Sequence, residues 1–232
     1  MSSALALFDL DGTLLSGDTD ELWCDFLIDA GILERDRFTA LNADIAARYA
    51  RAAIGPDEFC AFYAATLGGR SAEAWQPLRA RFVAERIEPR LGAQARELVH
   101  KHRERGDTLV LTTATNRFLA EPIANSLGMD HLIATELETE GAVFTGRNAG
   151  VLNMREGKVD RLRAWLADRG AEVASLAEAF FYSDSINDAA LLRSVGRPVA
   201  VDPDDRLAAL AVEAGWPIVR LARFDAPLNG RR

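Results

Sequence analysis

Residues 4–8 form an unbroken apolar run that stops at Asp9. Its length and abrupt polar end predict a buried strand whose tip carries functional groups. From 18 to 88 the strand signal nearly vanishes and apolar residues recur at helical spacing. The sets are Leu22, Trp23, Phe26 and Leu27, then Phe38, Leu41, Ile45 and Tyr49. Phe59, Phe62, Tyr63 and Leu67 follow, then Trp75, Leu78, Phe82 and Val83. Gly31, Gly55-Pro56 and Gly68-Gly69 separate them into about four helices, with Asp18 and Ser71 as N-caps. Beyond Pro89 the pattern alternates. A helix over 92–105 leads to a strand over 108–114 and a helix reaching 127. A hairpin pairs 132–137 with 142–145. Then come a helix (158–167), a strand (179–182), a helix (188–192), a strand (198–201), a helix (205–213) and an apolar segment (217–221). Residues after about 224 read as a frayed tail.

Alternating strands and helices predict an α/β protein with a doubly wound parallel sheet. The first strand belongs to that sheet, so the helical stretch is an insertion. The expected division is a sheet domain of 1–15 plus 89–232, interrupted by a helical domain of 16–88.

Composition narrows the partners. The chain has 232 residues, 35 acidic and 27 basic, for a formal charge of −8. That balance argues against nucleic acid and against an anionic membrane surface. No apolar run approaches the ~20 residues of a spanning helix. The first eight residues carry no basic side chain, so no signal peptide is read there. Cys24 and Cys60 lack metal-ligand spacing and are expected to be buried small hydrophobes in a reducing compartment. The expectation is a soluble cytoplasmic protein; oligomeric state is left open.

In such sheets functional groups sit just beyond the carboxyl ends of the strands. Asp9 and Asp11 follow the first strand, Thr113 the second, and Asp184 and Asp188 a later one. Lys158 opens the helix before it. Four carboxylates with no nearby His or Cys call for a hard, oxygen-preferring cation, most simply Mg²⁺. Asp9, pinned by the metal, would stay ionised as a nucleophile. Asp11, surrounded by negative charge, would hold a proton for general acid work. Backbone amides at Gly12 and Ala114, with Thr113 and Lys158, would hold phosphoryl oxygens. Simpler uses exist for each part: a calcium loop at Asp9–Gly12, a helix cap at Asp184–Asp188, a solvated Lys158, a strand-end Thr113.

Together these residues resemble the haloacid dehalogenase superfamily of phosphohydrolases. Its first motif is matched by residues 5–13, ending Asp9-Leu-Asp-Gly-Thr13. Its second resembles 109–113, with Thr112 as the competing register for Thr113. Its third-motif lysine fits Lys158, and its fourth motif fits 180–188. The resemblance implies a Rossmann-like fold, an aspartyl-phosphate on Asp9, and Asp11 as acid and then base. It also implies Mg²⁺ bound by Asp9, the Asp11 carbonyl and Asp184, with Asp188 in support. The insert is similar to the cap of the phosphoserine-phosphatase-like branch. Phosphoserine phosphatases place Ser-Gly-Gly where this chain has Thr113-Ala-Thr115, and Glu where it has Asp18. Asp18 and Asn187 are the candidate substrate contacts. Arg48 and Arg51 could read a substrate anion or serve as a solvated face. A small soluble phosphate ester is expected, like histidinol phosphate or phosphoserine. A phosphotransferase or mutase, or a phospho-Asp signalling receiver, stays as an alternative.

Overall fold

The computed structural model describes residues 4–51, 53–170 and 173–221. The tail expected after 224 lies outside the described residues. Seven strands form one sheet in the order β4-β3-β2-β1-β5-β6-β7. They are β1 (Leu5–Phe8), β2 (Thr108–Asn116), β3 (His131–Glu140), β4 (Val143–Ala149), β5 (Phe180–Ser183), β6 (Arg197–Val201) and β7 (Ile218–Val219). All neighbours run parallel except the β3–β4 hairpin. The short apolar run at the start of the chain is therefore the central strand, paired with β2 on one side and β5 on the other. This is the expected α/β, Rossmann-like arrangement, with longer hairpin strands than the sequence pattern marked.

The insertion between β1 and β2 opens with four α-helices: α1 (Thr19–Asp29), α2 (Arg35–Ala50), α3 (Pro56–Ala65) and α4 (Ala72–Phe82). The Asp18 carboxylate accepts from Glu21 N at 3.0 Å and the Ser71 hydroxyl from Ala74 N at 3.2 Å, satisfying orphan amides at two helix starts. Pro56 sits in the first turn of α3, where no amide donor is needed. A π-helical turn (Val83–Ile87) and a 3₁₀ turn (Glu88–Arg90), neither marked by the sequence pattern, lead into α5 (Ala93–Glu104).

Period-two alternation sends Phe8 and Leu7 to opposite faces of the sheet. On the Phe8 face, α5 and α6 (Arg117–Leu127) cover the strands, and the same core runs into the insert through Trp23, Phe26, Trp75 and Phe82. On the Leu7 face lie α7 (Glu156–Ala167), α8 (Ala189–Leu192) and α9 (Asp205–Ala214). The insert also has a smaller core of its own, which includes Cys24, Ile45, Phe59, Cys60 and Tyr63. Both cysteines are free and buried, as their helical positions suggested.

One buried polar cluster is structural. His102 of α5 lies 2.8 Å from Asp107 through Nδ1 and 2.8 Å from the Tyr182 hydroxyl through Nε2. Burial outweighs Asp107 and pulls the imidazole below its ordinary pKa, so the neutral ring ties α5 to β5. No helix among the described residues is long and apolar enough to cross a membrane.

Candidate active site

The site is built where β1 ends. Asp9 N donates to Tyr182 O at 2.9 Å, so pairing with β5 carries the nucleophile candidate to the sheet edge. The chain then turns through Gly12 at φ +73°. A Cβ on Gly12 would lie 2.1 Å from Asp184 Oδ2, so only glycine lets the backbone approach this carboxylate. The Thr13 hydroxyl donates to Asp184 Oδ1 at 2.8 Å, accepts from Asp184 N at 3.0 Å and lies 3.4 Å from Asp9 Oδ2. It joins the ends of β1 and β5.

Lys158, in the first turn of α7, is 3% exposed. Its Nζ donates to Asp9 Oδ1 at 2.8 Å and to Asp188 Oδ2 at 2.6 Å, and Ser183 Oγ donates to that same Asp188 oxygen at 2.7 Å. Burial alone would depress the ammonium, but Asp188 and Asp9 outweigh it and hold the pKa above the usual lysine range. Burial drives Asp9 the other way, well above the carboxylate range; Lys158 opposes it, while Asp188, Asp184 and Asp11 add repulsion. Burial pushes Asp184 up to about 7, against the Thr13 hydrogen bond and with repulsion from Asp188.

Asp11 turns its side chain away from this group. It accepts from Thr19 N at 2.7 Å, from the Thr19 hydroxyl, and from the Thr115 hydroxyl at 2.6 Å, with Thr113 Oγ1 at 3.4 Å. Burial still raises its pKa, opposed by Thr115 and Thr19.

The four aspartates are held by different sets of hydrogen-bond donors in the structure. Among the described residues no group of three His, Cys, Asp or Glu side chains is placed to hold a metal. The reason is visible in the hydrogen bonds: Asp188 is taken by Lys158 and Ser183, and Asp11 by threonines. Asp9 and Asp184 remain, both within reach of the Thr13 hydroxyl. An all-oxygen set with two buried, mutually repelling carboxylates suits a small hard dication.

These groups line a cavity of about 300 Å³. Of the residues picked out in the sequence, Asp9, Asp11, Gly12, Asp18, Ala114, Lys158, Asp184, Asn187 and Asp188 line it. Thr113 stands behind, its hydroxyl accepting from Thr115 N at 3.1 Å. Thr112 lies on the opposite side of the strand, accepting from Asn153 Nδ2 at 3.0 Å, so Thr113 holds the register that faces Asp11. Asp18 caps α1 and also lines the cavity; burial, with repulsion from Asp11 and Asp20, raises its pKa well above the usual value. Arg48 pairs with Asp44 and Glu58, and Arg51 is exposed; neither lines the cavity.

Several lining residues escaped the sequence reading. Asp20, Thr115, Tyr49, Phe59 and Met154 lie on the cavity wall. Thr115 follows Thr113 by two, so extending the strand period would have found it. Tyr49 and Phe59 come from the insert, where helical periodicity marks them only as apolar. The Tyr49 hydroxyl accepts from Asn187 Nδ2 at 3.0 Å, joining α2 to the loop after β5.

Residues 6–193 match the family of haloacid dehalogenase-like hydrolases. The chain belongs to that family. A histidinol-phosphatase of Neisseria meningitidis serogroup C (strain 8013) is 38% identical over 216 residues, which is 93% of this chain and 97% of that protein. The crystal structure of a Bordetella pertussis Tohama I protein of unknown function is similar at 39% identity and a TM-score of 0.90, over 94% of this chain and 99% of that one. A substrate-bound phosphoserine phosphatase complex shares the fold, with a TM-score of 0.68 at 18% identity, over 96% of this chain and 95% of that one. This haloacid dehalogenase-like hydrolase is a phosphatase. The family match sets aside the signalling-receiver alternative.

Proposed function

We propose that this phosphatase is a Mg²⁺-dependent phosphomonoesterase that works through an aspartyl-phosphate on Asp9. Its substrate is a small ester whose alcohol carries an amine, with histidinol phosphate as the model compound. The observation that carries the reading is the makeup of the cavity: six aspartates line it with Lys158 as the one basic residue.

At the reacting end, Lys158 holds Oδ1 of Asp9, and the other oxygen is left to attack phosphorus. Asp11, whose pKa burial raises, acts as the acid that gives a proton to the departing alkoxide as the phosphorus–oxygen bond breaks. It then removes a proton from water, which attacks the aspartyl-phosphate and regenerates Asp9. Lys158 and the amides at Gly12 and Ala114 bind the phosphoryl oxygens, with the Thr113 hydroxyl becoming a further donor if it turns from its place behind the wall. Asp9, the Asp11 carbonyl and Asp184 would hold Mg²⁺, which when bound would supply positive charge against the phosphoryl group. The insert acts as a cap, and its side chains Asp18, Tyr49 and Phe59 surround the leaving group.

The amine is favoured over a carboxylate for an electrostatic reason. No arginine lines the cavity among the described residues, and a carboxylate would be repelled by Asp18. This separates histidinol phosphate from phosphoserine. Tyr49, Phe59 and Met154 also give the flat, soft wall that a ring prefers.

Release of inorganic phosphate from histidinol phosphate, phosphoserine and p-nitrophenyl phosphate, with Mg²⁺ and with a chelator, tests the reading. Histidinol phosphate is expected to have the highest kcat/KM, and chelation to remove turnover. Preference for phosphoserine would overturn the substrate; turnover that survives chelation would overturn the metal.

A further inference from the structure

Asp20 lies in the first turn of α1 and is 6% exposed, yet it lines the cavity. Every other acid there has a close partner. Asp9 and Asp188 share the Lys158 ammonium at 2.8 and 2.6 Å. Asp184 has the Thr13 hydroxyl at 2.8 Å, Asp11 has threonine donors at 2.6 and 2.7 Å, and Asp18 takes Glu21 N at 3.0 Å. Among the described residues Asp20 takes one hydrogen bond, from the neutral Asn116 Nδ2 at 3.3 Å. Asn116 is itself committed, since its Oδ1 accepts from Leu119 N to cap α6.

Burying a carboxylate on one long neutral hydrogen bond is costly, and leaving it against Asp11 and Glu21 costs more. Burial and those two neighbours push its pKa up to about 8. Its place in the first turn of α1 gives Asp20 the favourable end of the helix dipole, but its one hydrogen bond among the described residues runs to Asn116 and supplies no charge. What the carboxylate lacks is a cation, and the cavity is where one could arrive.

We propose that Asp20 is a specificity-determining residue: it receives the protonated amine of the ester, alongside Asp18, and selects amino-bearing substrates over neutral ones. The inference rests on the phosphomonoesterase reading above and assigns its amine preference to one side chain. Two acids at the distal end suit an ammonium with a second N–H donor, and the Phe59, Tyr49 and Met154 wall accepts a flat body between them. Asp20 comes from the insert and its partner Asn116 from the end of β2, so the amine would be read where insert and sheet meet.

The test compares histidinol phosphate with 3-(imidazol-4-yl)propyl phosphate, the same ester without the amine, in wild type and Asp20→Asn. The ratio of kcat/KM for amino over amine-free ester is expected to fall by about 30-fold or more, mostly through KM of the amino ester. In calorimetry, the Asp20→Asn enzyme should bind the amino alcohol histidinol at least tenfold more weakly than wild type does. Asn116→Ala removes the partner but keeps the carboxylate, and should retain the ratio. An equal loss on both esters in Asp20→Asn would place Asp20 in the scaffold and overturn the proposal. Asp20→Ser gives the same comparison if the first variant does not fold. A wild-type enzyme that treats the two esters alike would instead overturn the amino-ester reading itself. Failure of any phosphate release would overturn the phosphomonoesterase.

Discussion

Two groups of aspartates line the cavity under opposite conditions. At the β1–β5 end, Asp9, Asp184 and Asp188 are fixed by Lys158, Thr13 and Ser183 through short hydrogen bonds. At the insert end, Asp18 and Asp20 have one backbone and one amide donor between them. The contrast separates acids whose geometry the protein sets in advance from acids whose satisfaction waits for a ligand. The first kind lowers a barrier by preorganisation; the second discriminates among substrates.

The sharpest way to break the comparison is at Asp9. Asp9→Asn is expected to lower kcat by about 10⁴-fold or more on every ester with the fold intact, checked by phosphate release and circular dichroism. Lys158→Met comes next. It strands Asp9 and Asp188 as buried, unpaired acids, so both activity and stability should fall, the latter by roughly 3 kcal/mol in urea melts. Gly12→Ala tests the geometry without touching a charge. Its Cβ would overlap Asp184 Oδ2 and its φ is left-handed, so a loss of about 2 kcal/mol and a drop in Mg²⁺ affinity are expected.

A pH scan addresses both ends at once. An acid whose folded pKa lies above its unfolded value keeps, in the native state, a proton that the unfolded chain has lost. Native stability then falls as pH rises through that window. With Asp184 at about 7 and Asp20 at about 8, the melting temperature of metal-free protein should decline between pH 5 and 8. Mg²⁺ should restore the Asp184 share. A flat profile would mean that neither acid is protonated in the native state. The smallest effect is expected for Tyr49→Phe, which removes the hydrogen bond between α2 and Asn187. A rise of about fivefold in KM with little change in kcat is the outcome to look for, since the lost bond contributes about 1 kcal/mol.

Much of the reacting end is legible in the chain because strand ends are local features. An apolar run that stops at Asp9, a glycine two residues before Leu14, and acids after 180–182 place their side chains without knowledge of packing. Lys158 needed the sheet order to reach Asp9, yet its place at the start of a helix after a strand was readable. The insert end is different. Asp20 reads as an ordinary acid of a helix first turn, Tyr49 and Phe59 as core residues, and Met154 as part of a loop. Their shared wall exists only because α2 and α3 pack over the sheet edge, a tertiary fact with no local signature. For a related reason, charge counting alone does not show which hydrogen-bond donors each carboxylate finds first.

The central position of β1 carries a consequence for how the molecule assembles. Leu5 pairs with Thr108, and Ala6 with Phe180. β1, the first of the seven strands in chain order, must therefore wait for more than 170 further residues before both its neighbours exist. The helices of the insert, built on local contacts, can form long before that. During synthesis β1 can pair with β2 first but keeps its other edge open until β5 arrives, and an open apolar edge is an aggregation risk. Catalytic competence is thus among the last properties the chain acquires, so a truncated product lacking β5 would possess neither a closed sheet nor a working nucleophile.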